Sequence, residues 1–356
     1  MSTEPDVLFE RRGEAGIIQL NRPKALNALN LDMVRCIYPQ MRAWAEDPAI
    51  TRVILKAAGE KAFCAGGDIR ALYALGRAGC FDEALDFWRE EYVLNHFISV
   101  FPKPFISLID GICMGGGFGL SAHGTFQVAG DRYMFAMPEV DIGLFPDVGG
   151  SHVLPRLPGC RGIYLALTGA RIRAADAYAA GLVTHVVASA GFAELEAALC
   201  AGGDVAATLA AHAGPPATAP LDAHGAVIAD AFSGADLASI LARLDTLADG
   251  EMEEAAFARS TATTIRGKCP TSLALAMEQM RRGPALTLAQ CLVMEFRIVS
   301  RVARGHDFYE GVRAMLVDKD NAPRWQPAAL ADIDAEEIAA HFAPRDDDLS
   351  LPTDGA

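Results

Sequence analysis

The sequence contains no CxxC pair, and its eight cysteines, at positions 36, 64, 80, 113, 160, 200, 269 and 291, fall without regular spacing. That excludes a zinc ribbon and offers no disulfide framework, so reduced and mostly buried thiols are expected. Positive charge is scarce as well, with 31 basic residues against 45 acidic ones and a formal charge of −14. A chain without a sequence-wide basic field is not built to draw in nucleic acid or an acidic membrane surface, so any polyanionic ligand must be met by local groups. No apolar run approaches the roughly 18 residues of a membrane span. The opening residues, MSTEPDVLFERRGEAG, lack an apolar core and carry four acidic side chains. They are unlike a signal or transit peptide, and a cytoplasmic protein is expected. There is no HExxH pair and no GxSxG elbow, which removes the commonest zinc-peptidase and serine-hydrolase signatures.

At 356 residues and 51% hydrophobic content, the chain can bury a large core. Its first half alternates: Ile17 to Leu20, Val53 to Lys56, Ile106 to Met114 and Gln127 to Ala129 read as strands, with Asn30 to Ala45 as a helix. Such alternation predicts an α/β core with a largely parallel sheet. From about Ala188 the character changes to alanine-rich segments at 191–213, 226–247, 251–265 and 271–302 that favour helices, with GPPATAP at 214–220 as a link. The expected organisation is a core over residues 1–190, a helical region over 191–345 packing on it, and a disordered acidic tail at 346–356.

Chemistry concentrates between Met114 and Asp147. Met114-Gly115-Gly116-Gly117 follows an apolar strand and opens a helix, and glycines there let unpaired amides approach a ligand closely at the positive end of the helix dipole. Gly117 to Ala122 also matches GxGxxA, but the next strand begins near Phe126, leaving too short a crossover for a dinucleotide fold. A second cluster, Phe63-Cys64-Ala65-Gly66-Gly67-Asp68, follows the Val53 to Lys56 strand. Two such loops at strand ends could each aim one N–H at a single oxygen, as an oxyanion hole requires. Cys64 has no partner histidine in a local signature and reads as a core thiol. Glu139 and Asp147 sit among Met137, Pro138, Ile142, Leu144, Phe145 and Pro146, neighbours that desolvate a carboxylate and raise its basicity. His123, His152 and His306 read as structural or peripheral.

In order and spacing, Leu20-Asn-Arg-Pro-Lys-Ala-Leu-Asn-Ala-Leu29, Ala62 to Asp68, Met114 to Gly117, Met137-Pro-Glu139 and Gly149-Gly150 resemble the crotonase (enoyl-CoA hydratase/isomerase) superfamily. The resemblance implies a spiral of ββα units followed by the helical region, an acyl-CoA ligand, and an oxyanion hole from the amides of Ala65 and Gly116. It places Gly115, Gly117, Gly66, Gly67 and Asp68 around the acyl group. Lys24, Ala25 and Leu26 would meet the adenine-pantetheine part, with Arg22 and Lys61 able to offset its charge. Hydratases of the superfamily resemble one another in carrying two glutamates; here the first of those positions is Gly119, and the chain instead has Asp147 where they have glycine.

With Gly143 to Gly150, His123-Gly124, Trp88 to Tyr92 and Arg304 to Asp320, the chain is similar to the hydrolase branch of that superfamily. Members of this branch cleave 3-hydroxyisobutyryl-CoA in valine breakdown to 3-hydroxyisobutyrate and CoA, without metal or redox cofactor. The same resemblance makes Glu139 and Asp147 the catalytic pair and Glu91 a third polar contact. It also lays Phe308 to Lys319 over the acyl site, from its own chain or from a second copy in a homo-oligomer. The competing expectations are an enoyl-CoA hydratase or isomerase on the same scaffold, and a catalytically silent CoA-fold interaction protein.

Overall fold

After an opening hairpin, each repeat of the first half delivers one strand to each of two sheets. A computed structural model describes residues 4–215, 217–250 and 253–352. In chain order its first half runs β1 (Val7–Arg12), β2 (Ala15–Leu20), α1 (Leu31–Glu46), β3 (Arg52–Ala57), β4 (Ala62–Cys64), α2 (Ile69–Arg77), α3 (Phe81–Ser99), β5 (Phe105–Ile109), β6 (Ile112–Met114), α4 (Gly116–Ala122), β7 (Phe126–Ala129), β8 (Met134–Ala136), β9 (Ile172–Arg173) and β10 (His185–Val186). One sheet has the order β1-β2-β3-β5-β7-β10 and the other β4-β6-β8-β9. From β2 to β10 the first sheet is parallel, as are β4, β6 and β8, which is the ββα spiral. The inner strands are mostly apolar and buried, as β5 shows with all of FISLI buried, because helices or the second sheet cover both faces.

The expected single strand Ile106 to Met114 is two strands in different sheets. The break falls at Asp110-Gly111, where Gly111 has φ +129 and a Cβ would lie 2.8 Å from the Lys61 carbonyl. Asp110-Gly111 is a turn-forming pair inside the apolar run, and it marks the corner. Helix α1 matches its expected span to within a residue. Asn30 caps it by accepting from the Met33 amide, and Met33, Val34, Ile37, Met41 and Trp44 line its buried face.

Beyond residue 191 the described residues form helices, including Leu237–Ala248, Pro270–Arg282 and Leu288–Val302. The expected 271–302 helix is interrupted at Gly283–Ala285, and Thr287 with Gln290 forms a capping box that restarts it. Leu288–Val302 packs on α3 and on the short helix Gly150–Val153. Trp88 of α3 meets Phe308 edge-on at 6.0 Å, tying the two halves together. Disorder is not found at 346–352: Leu349 is buried and Asp348 pairs with Arg297 at 2.5 Å. An apolar anchor and a charge-assisted bond outweigh the polar composition there; residues 353–356 lie outside the described residues. Among the described residues no helix is long and apolar enough to cross a membrane.

Candidate active site

Strands β4 and β6 are parallel neighbours, so the loops leaving them emerge side by side. Gly66 turns with φ +112 and Gly115 with φ +45, conformations open to glycine. Gly116 is the first residue of α4, where a helix has no internal acceptor for its N–H. A Cβ on Gly116 would lie 3.3 Å from the Gly67 nitrogen and 2.5 Å from Glu91 Oε1. The amides of Gly67 and Gly116 have no acceptor among the described residues.

The Ala65 amide is not available as an oxyanion donor. It donates to the Leu26 carbonyl at 3.1 Å, tying the glycine loop to the segment after β2, and a donor already engaged cannot also grip a developing charge. Gly67, by contrast, keeps a free amide at the cavity beside that of Gly116. Ala65, Gly66 and Gly115 still line the cavity, whereas Gly117 packs against the Cys64 carbonyl behind it. Asp68 caps α2 by accepting from the Ala71 amide and pairs with Arg22 at 3.1 Å, so its carboxylate is committed to the scaffold.

The cavity, about 280 Å³, has Glu91, Glu139 and Asp147 in its wall and Phe87, Trp88, Ile142 and Leu144 around them. Met315 and Leu316 close it from a π-helical turn, Arg313–Val317, of the same chain, and Arg70 of α2 bonds the Leu316 carbonyl. All three carboxylates are at most 5% exposed. Burial pushes Glu139 well above the ordinary carboxylate range, and the charge of Asp147 adds to this. Burial lifts Asp147 to about 7, against the hydrogen bond from Tyr92 Oη at 2.8 Å. Glu91 is raised by burial and then by Asp147 and Glu139. Glu139 Oε2 and Glu91 Oε1 have no hydrogen-bond partner, so both can serve a ligand or water.

Gly119 is closed to any side chain. A Cβ there would lie 2.7 Å from Val148 Cβ and 2.9 Å from Asn95 Nδ2.

Lys24 and Leu26 border a separate groove of about 480 Å³ shared with Lys61, while Ala25 lies in the short helix Pro23–Ala25 beside it. Asn27 holds this segment, donating to the carbonyls of Ala58 and Ala62 at 2.9 Å. Both lysines are exposed and lack a carboxylate partner among the described residues. Arg22 is spent on Asp6, Asp68 and the Ala28 carbonyl, so it offers little to a ligand. Cys64 is buried, with its thiol pushed up to about 12 by burial; His123 is held down to about 4 and bonds the Val148 carbonyl. Neither faces the cavity.

Tyr92, Asn95 and Glu295 are polar groups of this neighbourhood that motif reading did not assign a role. Helical spacing carries the signal: Cys291, Leu292, Glu295, Ile298, Val299 and Val302 share the buried face of one helix, so Glu295 interrupts an apolar stripe.

Alternating ββα repeats with two glycine loops over buried carboxylates define a crotonase-type acyl-CoA site, and a model of the enoyl-CoA hydratase/isomerase family matches residues 15–342; the chain belongs to that family. Among its relatives is the protein named 3-hydroxyisobutyryl-CoA hydrolase, mitochondrial, of Rattus norvegicus, 46% identical over 95% of this chain and 88% of that one. The Homo sapiens protein of the same name is 44% identical, with the same coverage of 95% and 88%. Two solved structures share the fold. One, titled a carnitinyl-CoA dehydratase from Mycobacterium thermoresistibile, has a TM-score of 0.92 and 40% identity over 99% of this chain and 100% of that one. The other, titled an enoyl-CoA hydratase from Rhodobacter sphaeroides 2.4.1, has 0.87 and 39% over 98% and 100%.

Proposed function

We propose that this chain is an acyl-CoA thioester hydrolase that cleaves 3-hydroxyisobutyryl-CoA to 3-hydroxyisobutyrate and CoA, a step of valine catabolism. The observation that carries the reading is the pairing of buried Glu139 and Asp147 with a Gly119 that has no room for a second hydratase glutamate. Hydration needs one group to activate water and another to manage the α-carbon proton, and Gly119 supplies neither. The names of the vertebrate relatives favour the same substrate.

The thioester oxygen sits between the Gly67 and Gly116 amides, which bind it more strongly as it becomes an oxyanion; one such donor is worth about 2.7–4 kcal/mol in measured cases. In the general-base route, ionised Glu139 takes a proton from water, the water oxygen bonds to the carbonyl carbon, and the tetrahedral intermediate expels the CoA thiolate as the C–S bond breaks. The proton on Glu139 then passes to sulfur. In the nucleophilic route the Glu139 oxygen bonds to the carbonyl carbon as the C–S bond breaks and CoA thiolate leaves; water then hydrolyses the mixed anhydride to the acid and free Glu139, and the spare proton of that water goes to the thiolate. Asp147 positions the 3-hydroxyl or the water, and Glu91 supplies the third polar contact. Carboxylates and amides account for every proton, so the step as written calls on no cofactor and CoA is part of the substrate. Met315 and Leu316 reach the cavity from the same chain, and a homo-oligomer belongs to this proposal.

Eight unpaired thiols fit a reducing compartment. Cytoplasmic residence belongs to this proposal and the relatives are named mitochondrial, so cell fractionation decides between them. The decisive assay gives purified protein 3-hydroxyisobutyryl-CoA and crotonyl-CoA and follows free thiol and the conjugated double bond. Thiol release from the first alone supports the hydrolase; double-bond loss from the second overturns it in favour of a hydratase. Neither signal makes the protein a silent scaffold.

A further inference from the structure

Asp147 is followed by backbone that an isolated chain would not hold. Val148 has φ +52 and Gly149 φ +83, and a β-branched residue in the left-handed region is strained. Four side chains from distant elements fasten this turn. Tyr92 bonds the Asp147 carboxylate at 2.8 Å, His123 the Val148 carbonyl at 2.7 Å, and Gln279 the Pro146 carbonyl at 3.1 Å. The fourth, Glu295, makes the most bonds: it accepts from the Gly149 amide at 2.8 Å, from the Ser151 amide at 3.0 Å, and from the Ser151 hydroxyl.

Glu295 is fully buried, lies outside the cavity wall, and plays no part in the mechanism above. A buried carboxylate is costly unless its oxygens are satisfied, and here three donors from one turn satisfy them. The same turn closes on itself through the Gly150 amide to the Asp147 carbonyl at 2.7 Å. A shift at Gly149 or Ser151 is therefore passed directly to Asp147.

The geometry points to Glu295 as a positioning residue: by gripping Gly149 and Ser151 it holds Asp147 where it can receive the 3-hydroxyl of the substrate. Selectivity for a 3-hydroxyacyl group is thus built jointly by a loop of the sheet half and a helix of the helical half. This rests on the hydrolase reading.

The test compares kcat/KM by thiol release on 3-hydroxyisobutyryl-CoA and on isobutyryl-CoA, which lacks the hydroxyl, for wild type, Glu295→Gln, Asp147→Asn and the double variant. The ratio of the two values cancels any loss of folded molecules. Glu295→Gln is expected to lower the ratio about tenfold, and to change it less than about twofold in the Asp147→Asn background, because residues acting as a unit are not additive. An unchanged ratio in Glu295→Gln, or a further tenfold fall in the Asp147→Asn background, overturns the inference. Should Glu295→Gln not fold, Ser151→Ala deletes one of the three bonds: a ratio lowered about threefold supports the assignment and an unchanged one overturns it. A wild type releasing no thiol from either substrate overturns the hydrolase reading and this inference with it. An active wild type with an unchanged variant ratio overturns this one alone.

Discussion

The sheet half and the helical half of the molecule both bury carboxylates beside the same cavity, and they treat them in opposite ways. Glu139 and Glu91, from the sheet half, each keep an oxygen with no hydrogen-bond partner. Glu295, from the helical half, is saturated by three donors 144 and 146 residues away in sequence. An unsatisfied buried acceptor destabilises the empty protein and is completed only by ligand or water, whereas a satisfied one stiffens what it touches. Reactivity and support are thus separated by hydrogen-bond satisfaction, although all three groups are carboxylates within the same 5% exposure limit.

The comparison breaks most visibly at Glu139. Glu139→Gln keeps the shape and removes the base or nucleophile, so thiol release is expected to fall about a thousandfold while CoA affinity, measured by calorimetry, stays near normal. Activity within about tenfold of wild type is a loss of only about 1.4 kcal/mol and would remove Glu139 from the chemistry. The next largest effect concerns the packing that supports the pair. Gly119→Ala places a methyl 2.7 Å from Val148 Cβ, and overpacking of this kind costs about 1–3 kcal/mol in urea unfolding. Gly119→Glu is expected to gain no hydration of crotonyl-CoA; a gain would show that the site tolerates a second glutamate after all.

What the sequence makes legible follows the same division. The glycine loops and Glu139 lie within a few residues of strand ends, and Asp147 follows in the apolar loop beyond them; local motif and apolar context mark all of these, and the structure brings them to one cavity. The donor assignment at Ala65, implied by the family resemblance, fails because whether an amide is free depends on Leu26, a residue from another loop. The corner at Gly111 is marked only by the pair Asp110-Gly111 inside an otherwise largely apolar run, so apolarity alone joins the two strands into one. Glu295 is invisible to motif reading because its partners lie on a different element, although its place on an apolar helical stripe marks it as a buried charge with an unknown partner. The tail at 346–352 reads as acidic and loose by composition, yet buried Leu349, Leu351 against the core, the Asp348–Arg297 pair and the bonds of Asp347 to Arg89 and Arg345 seat it.

pH sharpens the comparison further. Burial raises Asp147 to about 7 and Glu295 to about 8, against about 4 in an unfolded chain. The folded protein then holds protons that the unfolded chain has released, so the stability these groups contribute is full below about 4 and is lost as pH rises through about 7 to 8. Asp147→Asn removes one such group, and the fall in unfolding free energy from pH 5 to 8 should become shallower. The exposed Asp245, lowered by its bond to Arg266, has the opposite sign: its contribution is present above the ordinary carboxylate range and fades toward acid. An unchanged slope in Asp147→Asn would mean that its carboxyl is ionised in the folded state throughout that window.

The smallest effect lies farthest from the carboxylates. Lys24 is exposed at the rim of its own groove, where an attraction to the anionic nucleotide end of CoA is worth at most about 1 kcal/mol and is screened by salt. Lys24→Ala should raise KM about two- to threefold at low ionic strength, an effect that shrinks as salt is added. With kcat unchanged, the lysine belongs to uniform binding, equally strong before and during the reaction. A fall in kcat would instead mean that Lys24 helps to set the acyl group against Gly67 and Gly116. Binding and positioning would then not be divided between the groove and the carboxylate cavity as the geometry divides them.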